Sequence, residues 1–319
     1  MNYLVILLLL CSVSCGCPHR LVPQCDPDPP IPFCVPERIR VALVLGSGGV
    51  RGMAHVGVIE ELVNNNVPID LIVGCSAGSI VGALYSDNPC LDAIITSVWK
   101  IKSDTILDID ILNCRYGLSQ GKTMNRVFDE HLTAETFDEL HIPLVVVASD
   151  LNTGELVPIG SGDLVKSVQA SCSIPFFFVP CEMNGRVLVD GGVVNPVPVK
   201  VAKDLGADII IAVDLCELLD RTFPTNLIQV AIRSAEIAFM WQNQTCTNGA
   251  DVVIRPKTCE VGAFNDKMKW LLYDAGKKAA CEKMPEILAL VQALPDPDFT
   301  GNKKTVTLLP YTPQINCEP

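Results

Sequence analysis

The chain has 319 residues, 49% hydrophobic and 19% charged, which is enough for one large α/β domain or two small ones with a sizeable core and excludes a disordered chain. Thirty-six acidic residues stand against 24 basic ones, a net charge of −12. That balance argues against a broad electrostatic grip on nucleic acid or anionic lipid and leaves room only for local basic patches.

Residues 3–13 (YLVILLLLCSV) form an apolar run of roughly 16 Å if helical, about half a bilayer core. The run is too short to span and suits the apolar region of an export leader covering residues 1–17. Cleavage before Cys15 or Cys17 would leave an N-terminal cysteine, similar to the lipid-attachment site of bacterial lipoproteins. The position three residues earlier, usually Leu, holds Ser12 or Ser14. The expectation is an exported, membrane-anchored chain, with plain secretion, an uncleaved anchor or peripheral attachment without export as alternatives. Residues 18–38, with seven prolines between Pro18 and Pro36, read as an extended tether.

The organised domain is expected over residues 39–293. Ile39–Leu45 (IRVALVL) reads as a buried parallel strand, followed by a glycine-rich turn and a helix from Met53 to about Asn64. Further strands are predicted at 69–73, 144–148, 187–189, 209–213 and 252–254. Helices are predicted from Ala77 and over 91–101, 122–132, 162–170, 197–205, 225–242 and 266–293. Strands alternating with helices predict a three-layer α/β/α fold with a mostly parallel central sheet. Residues 294–319 read as an irregular tail wrapping the domain.

The chain holds 15 cysteines and four histidines, with no paired CxxC spacing and no histidine cluster, so no metal site is expected. The odd cysteine count leaves at least one thiol unpaired within the chain or modified. The ten cysteines from Cys75 onward read as small, mostly buried apolar residues.

Gly74-Cys75-Ser76-Ala77-Gly78 fits GxSxG between a strand and a helix, where small flanking residues let a tight turn expose the serine hydroxyl. No histidine follows His141, so the Ser–acid–His order of an α/β-hydrolase triad is impossible. His55 reads as a helix-packing residue. An acid can activate a serine if it lies within hydrogen-bond reach. Asp190, before Gly191 and Gly192, is the candidate, although an Asp-Gly turn formed for its own sake is an equally simple reading of that segment alone. The loop Gly48, Gly49, Val50, Arg51 and Gly52 offers backbone N–H groups at a helix start, as an oxyanion hole needs. Arg51 stands where a dinucleotide loop has its third glycine, and the lysine and Ser/Thr of a phosphate loop are absent. Neither nucleotide nor cofactor is therefore expected.

These three motifs, in this order, resemble the pattern of patatin-like phospholipases, and in particular the small bacterial members related to neuropathy target esterase. Ala148–Gly154 (ASDLNTG), Ala170–Pro175 (ASCSIP) and Asn195-Pro196 match as well, and the likeness runs from about Arg40 to Leu290. The resemblance implies a Ser–Asp dyad lipid acyl hydrolase. Ser76 would attack an ester carbonyl of a phospholipid or lysophospholipid at a membrane surface. Asp190 would accept its proton, and the Gly48–Gly52 backbone would hold the oxyanion. It leaves Arg51 open between loop orientation, lipid phosphate and a structural ion pair. Asp150 is expected to brace a loop, and Pro175–Val179, with its three phenylalanines, either to line an acyl groove or to join the core. An acyltransferase on the same site and a non-catalytic, membrane-tethered interaction protein remain as alternatives.

Overall fold

In the strand that opens the domain, six of seven residues are buried. The computed structural model describes residues 21–22, 26–102, 106, 108, 115–215, 223–258, 266–295 and 302–313. The expected leader, including Cys15 and Cys17, lies outside them. The strands are β1 (Phe33–Pro36), β2 (Ile39–Leu45), β3 (Leu71–Cys75), β4 (Leu144–Asp150), β5 (Leu156–Ile159), β6 (Cys181–Met183), β7 (Arg186–Asp190), β8 (Ala207–Val213), β9 (Val252–Ile254) and β10 (Lys303–Val306). The helices are α1 (Met53–Asn64), α2 (Ala77–Asp87), α3 (Leu91–Lys100), α4 (Lys122–His131), α5 (Leu164–Ser171), α6 (Val199–Asp204), α7 (Leu227–Cys246) and α8 (Lys269–Ala293).

The main sheet runs β6-β7-β4-β3-β2-β8-β9, with β5 also paired to β4. The β4–β3, β3–β2, β2–β8 and β8–β9 pairs are parallel, and β5, β6 and β7 join antiparallel. The predicted mostly parallel sheet is therefore present. Alternation along β2 sends Val41, Leu43 and Leu45 into one core and Ala42 and Val44 into the other, as a strand covered on both faces requires. Helices α1 to α5 and α8 contribute to the first core; α6 and the β1–β10 pair contribute to the second. No helix among the described residues is long and apolar enough to cross a membrane.

Three departures from the sequence expectations have physical causes. The second strand lies at Leu71–Cys75 rather than 69–73, because parallel pairing to β2 sets Ala42 opposite Leu71 and Leu45 opposite Gly74. Within the segment read as a tether, Phe33–Pro36 is a strand; within the segment read as an irregular tail, Lys303–Val306 pairs with it, Phe33 opposite Val306. Phe33 and Val35 are buried, so this stretch is held by the second core; its flanking prolines are tolerated in a two-stranded edge pair. The hairpin β6–β7 turns at Asn184 and Gly185, with φ of 50° and 71°, the positive values that a two-residue Asn-Gly turn uses. Among the described cysteines, Cys75, Cys172 and Cys181 are buried as expected of small apolar residues, whereas Cys34, Cys90 and Cys281 are exposed.

Helices α1 and α8 cross at glycines. A Cβ at Gly57 would strike the carbonyl oxygen of Tyr273, and one at Gly276 would strike that of Ala54. Both contacts are with backbone, so no rotamer change relieves them. Gly276→Val is expected to lower unfolding stability by at least about 1–3 kcal/mol through overpacking, read as a lower urea midpoint at unchanged slope.

Candidate active site

Strand register brings the two candidate catalytic residues to one level. Cys75 pairs with Val147 on β4, so Ser76 follows at the height of Ala148, and Ala148 pairs with Asp190 on the other side of β4. The Ser76 hydroxyl donates to Asp190 Oδ2 at 2.5 Å. Ser76 is 4% exposed and Asp190 5%, so the pair is nearly closed to bulk water.

The serine stands in a strained turn. Its φ of 52° and ψ of −119° lie where a side-chain-bearing residue rarely sits, and only surrounding contacts hold it there. Its N–H donates to Ser171 Oγ at 2.9 Å, and its carbonyl accepts from Ser79 Oγ at 2.6 Å and Ser79 N–H at 2.8 Å. The flanking glycines are steric requirements. A Cβ at Gly74 would lie 2.6 Å from Ser79 Cα, and one at Gly78 would collide with the carbonyl oxygen of Leu45. On the acid side, Gly191 crosses so close to the Val147 carbonyl that no side chain fits. The Gly192 N–H donates to Asp190 Oδ1 at 2.7 Å, which fixes the carboxylate's rotation.

Burial pushes the Asp190 carboxyl up from its ordinary 3.8 to about 6, against the opposing pull of the Ser76 hydroxyl and the Gly192 N–H. At neutral pH it is ionised and can accept the serine proton. The other nearby groups are unsuited to that task. His55 is fully buried, with Nε2 2.8 Å from the Gly46 carbonyl oxygen and no partner at Nδ1; burial lowers its pKa to about 4. It packs the first helix against the glycine loop, as its sequence position implied. Cys75 and Cys172 are buried thiols whose pKa burial raises, so neither is a ready thiolate.

The glycine loop forms a 3₁₀ turn, Gly49–Gly52, that runs directly into α1. Gly49, Val50 and Gly52 line the same cavity as Ser76. Gly48 and Arg51 lie instead against Leu215: a Cβ at Gly48 would meet Leu215 Cδ1 at 2.9 Å, and Arg51 Nη1 donates to its carbonyl oxygen at 3.4 Å. The cavity, of about 110 Å³, is walled chiefly by apolar side chains, among them Met53, Ile80, Val81, Ile101, Met124, Ile174 and Phe178. Of the three phenylalanines, only Phe178 lines it; Phe177 packs on the core and Phe176 is 51% exposed. Asp150 braces the turn after β4, accepting from the Asn152 and Thr153 N–H groups at 2.8 and 3.2 Å and from Arg186 at 2.6 Å. No group of three His, Cys, Asp or Glu side chains among the described residues is placed to hold a metal.

Two participants were not singled out from the sequence. Ser171 orients the Ser76 backbone, and Cys172 lines the cavity, its thiol 3.3 Å from the Ser76 carbonyl oxygen. Both fall within Ala170–Pro175, a stretch noted only for its resemblance.

A strained serine bonded to a buried aspartate thus stands at the head of an apolar cavity on a mixed α/β sheet. The patatin-like phospholipase family model matches residues 43–203, and the chain belongs to that family of lipid hydrolases. The chain is 35% identical over 177 residues to an uncharacterized NTE family protein of Mycobacterium tuberculosis, covering 55% of this chain and 49% of that one. It is 31% identical over 182 residues to human patatin-like phospholipase domain-containing protein 6, covering 55% of this chain and 13% of that one. The chain thus spans half or less of the length of these relatives. VipD from Legionella pneumophila shares the fold, with a TM-score of 0.52 at 13% identity over 93% of this chain and 74% of that one.

The raised Asp190 pKa has a consequence for stability. Because the carboxyl is harder to ionise folded than unfolded, the folded state is penalised above pH 6 and relieved of that penalty as pH falls towards 4. Asp190→Asn is expected to stabilise the protein at pH 8 by up to about 3 kcal/mol, a gain that shrinks towards pH 4. Thermal unfolding of both proteins across that range checks the sign.

Proposed function

We propose that this chain is a serine lipid acyl hydrolase that cleaves carboxylic esters of phospholipids or lysophospholipids through a Ser76–Asp190 dyad. The observation that carries the reading is the 2.5 Å bond from the Ser76 hydroxyl to Asp190 at the head of an apolar cavity.

In this mechanism an acyl chain lies in the cavity with its ester carbonyl at Ser76. Ser76 Oγ attacks the carbonyl carbon as its proton passes to Asp190 Oδ2. The negative charge on the former carbonyl oxygen is met by backbone N–H groups of the glycine loop. Asp190 returns the proton to the departing alcohol, leaving an acyl-serine. It then takes a proton from water, which attacks the acyl-serine, and returns that proton to Ser76. Only one carboxylate is needed, because it is held by Gly192 and kept basic by burial. Residues 1–17 are read as part of the same proposal: an export leader that leaves Cys15 or Cys17 for lipidation. Labelled palmitate fed to a bacterial host should appear on the mature protein, and an unlabelled product starting at neither cysteine would remove that part.

Ser76→Ala is expected to abolish both ester hydrolysis and labelling by a fluorophosphonate probe, with folding intact. Labelling that persists in Ser76→Ala would defeat the nucleophile assignment. For the wild type, kcat/KM should fall about tenfold per pH unit once the pH drops below about 6, as Asp190 takes up its proton. A profile flat from pH 5 to 8 would argue against Asp190 as the base. Gly49→Val should lower kcat by roughly 10²-fold with a smaller change in KM, since Gly49 has a φ of 59° and a valine there would shift the loop N–H groups. An effect confined to KM would contradict the oxyanion role.

A further inference from the structure

Two stretches far apart in the chain meet beside the cavity. Residues 98–102 (VWKIK) span the end of α3, and residues 266–273 (DKMKWLLY) lead into α8. The buried Lys269 fastens one to the other. Its ammonium donates to the carbonyl oxygens of Val98 at 3.0 Å, Trp99 at 3.3 Å and Ile101, and it pairs with Asp266 at 3.4 Å. At this junction Trp99 is 45% exposed, Trp270 64% and Leu271 48%. The two indole rings meet edge-on, 6.2 Å apart, and Trp270 stacks on Tyr273 at 5.1 Å. Lys100, Lys102 and Lys267 are exposed in the same two stretches, a local reversal of sign on a chain of net charge −12. Val98, Ile101 and Lys269 line the cavity that holds Ser76, so the exposed aromatic face and the cavity wall are built from adjacent residues.

We infer that Trp99, Trp270 and Leu271, with the exposed Lys100, Lys102 and Lys267 beside them in sequence, dock on an anionic phospholipid bilayer and admit an acyl chain past Val98 and Ile101 towards Ser76. The inference rests on the proposed lipid hydrolysis and names where the substrate surface is met. Indoles are amphipathic and settle at the level of lipid head groups, with flanking lysines drawn to anionic phosphates. The Lys269 clamp holds both rings ready before contact, so little ordering remains to be done on docking. Trp241, the third tryptophan, is on α7, is 62% exposed and does not line the cavity, which makes it an internal control.

The test uses the full chain carrying Ser76→Ala, so that lipid is not consumed, with vesicles of phosphatidylcholine and phosphatidylglycerol whose acyl chains bear bromine. Bromine quenches only indoles that reach the bilayer, whatever else holds the chain at the membrane. With Trp241→Phe added, emission from Trp99 and Trp270 should be quenched, and less so when phosphatidylglycerol is left out. With Trp99→Phe and Trp270→Phe added instead, emission from Trp241 should be unchanged. Equal quenching of both proteins, quenching of Trp241 alone, or no quenching of either overturns the docking face. So would wild-type self-association that Trp99→Ala/Trp270→Ala abolishes without any change in vesicle binding, which would assign the patch to a second copy of the chain. With Ser76 intact, Trp99→Ala/Trp270→Ala should lower the ratio of vesicle-phospholipid to soluble-ester hydrolysis by about tenfold. An unchanged ratio counts against the docking face. Absence of soluble-ester hydrolysis in the wild type counts against the hydrolase reading and leaves the quenching result standing.

Discussion

The hydrogen bond between Ser76 and Asp190 is the constraint on which the rest of the structure turns. It joins the residue that follows β3 to the last residue of β7, two strands that are not neighbours in the sheet but flank β4. For the bond to form, two registers must agree at once, the parallel one between β3 and β4 and the antiparallel one between β4 and β7. A slip of one residue in either would turn one of the two side chains to the wrong face. The pairing of Asp150 with Arg186 ties the ends of β4 and β7 together beyond the site and opposes such a slip. Much that looks like ordinary sheet packing is therefore also alignment of a proton donor with its acceptor.

The same bond explains why so many small residues gather here. Ser76 needs its strained turn, the turn needs Gly74 and Gly78, and the Leu45 carbonyl that Gly78 approaches belongs to the strand leading into the glycine loop. The Gly52 position is similarly tight: a Cβ there would lie 2.9 Å from that of Ala77. The Ser76 turn and the glycine loop thus press on one another through backbone and methyl groups, with little slack for either to move alone. Such a site is preorganised at the expense of stability, with backbone strain at Ser76 and a buried charge at Asp190.

This local character is why the site was legible in the sequence and parts of the fold were not. GxSxG, the glycine loop and the Asp-Gly-Gly turn are each short contiguous motifs with glycines demanded by close approach of other parts of the chain, so residue identity alone carries them. The long central strands were legible for a similar reason, being continuous apolar runs. β1, β5, β6 and β10 have four residues or fewer, too short to show a strand period, and β1 and β10 also find their partners only at the far end of the chain from each other. The Asn184-Gly185 turn did carry a hairpin signal, flanked by runs too short to read as strands. Ser171 and Lys269 are ordinary helix residues by sequence. Only tertiary packing turns one towards the Ser76 N–H and buries the other's ammonium against the end of α3. Gly48 and Arg51 belong to the glycine motif but meet the side chain and the carbonyl oxygen of Leu215, a residue whose approach no local pattern encodes.

The pairing of β1 with β10 bears on how the chain reaches this state. Cys34 and Thr305, side by side in that ribbon, are 271 residues apart in sequence. The central strand β2 waits for β8, and β1 waits for nearly the last described residues. A topology so dominated by distant partners has a high contact order, and its folding is correspondingly slow. During synthesis from the N-terminus, Phe33 and Val35 leave the ribosome long before the strand that covers them. Until then the nascent chain presents an unpaired apolar edge, the kind of surface that chaperones hold. The ribbon is thus also a timer, holding back closure of this edge until Lys303–Val306 has been made.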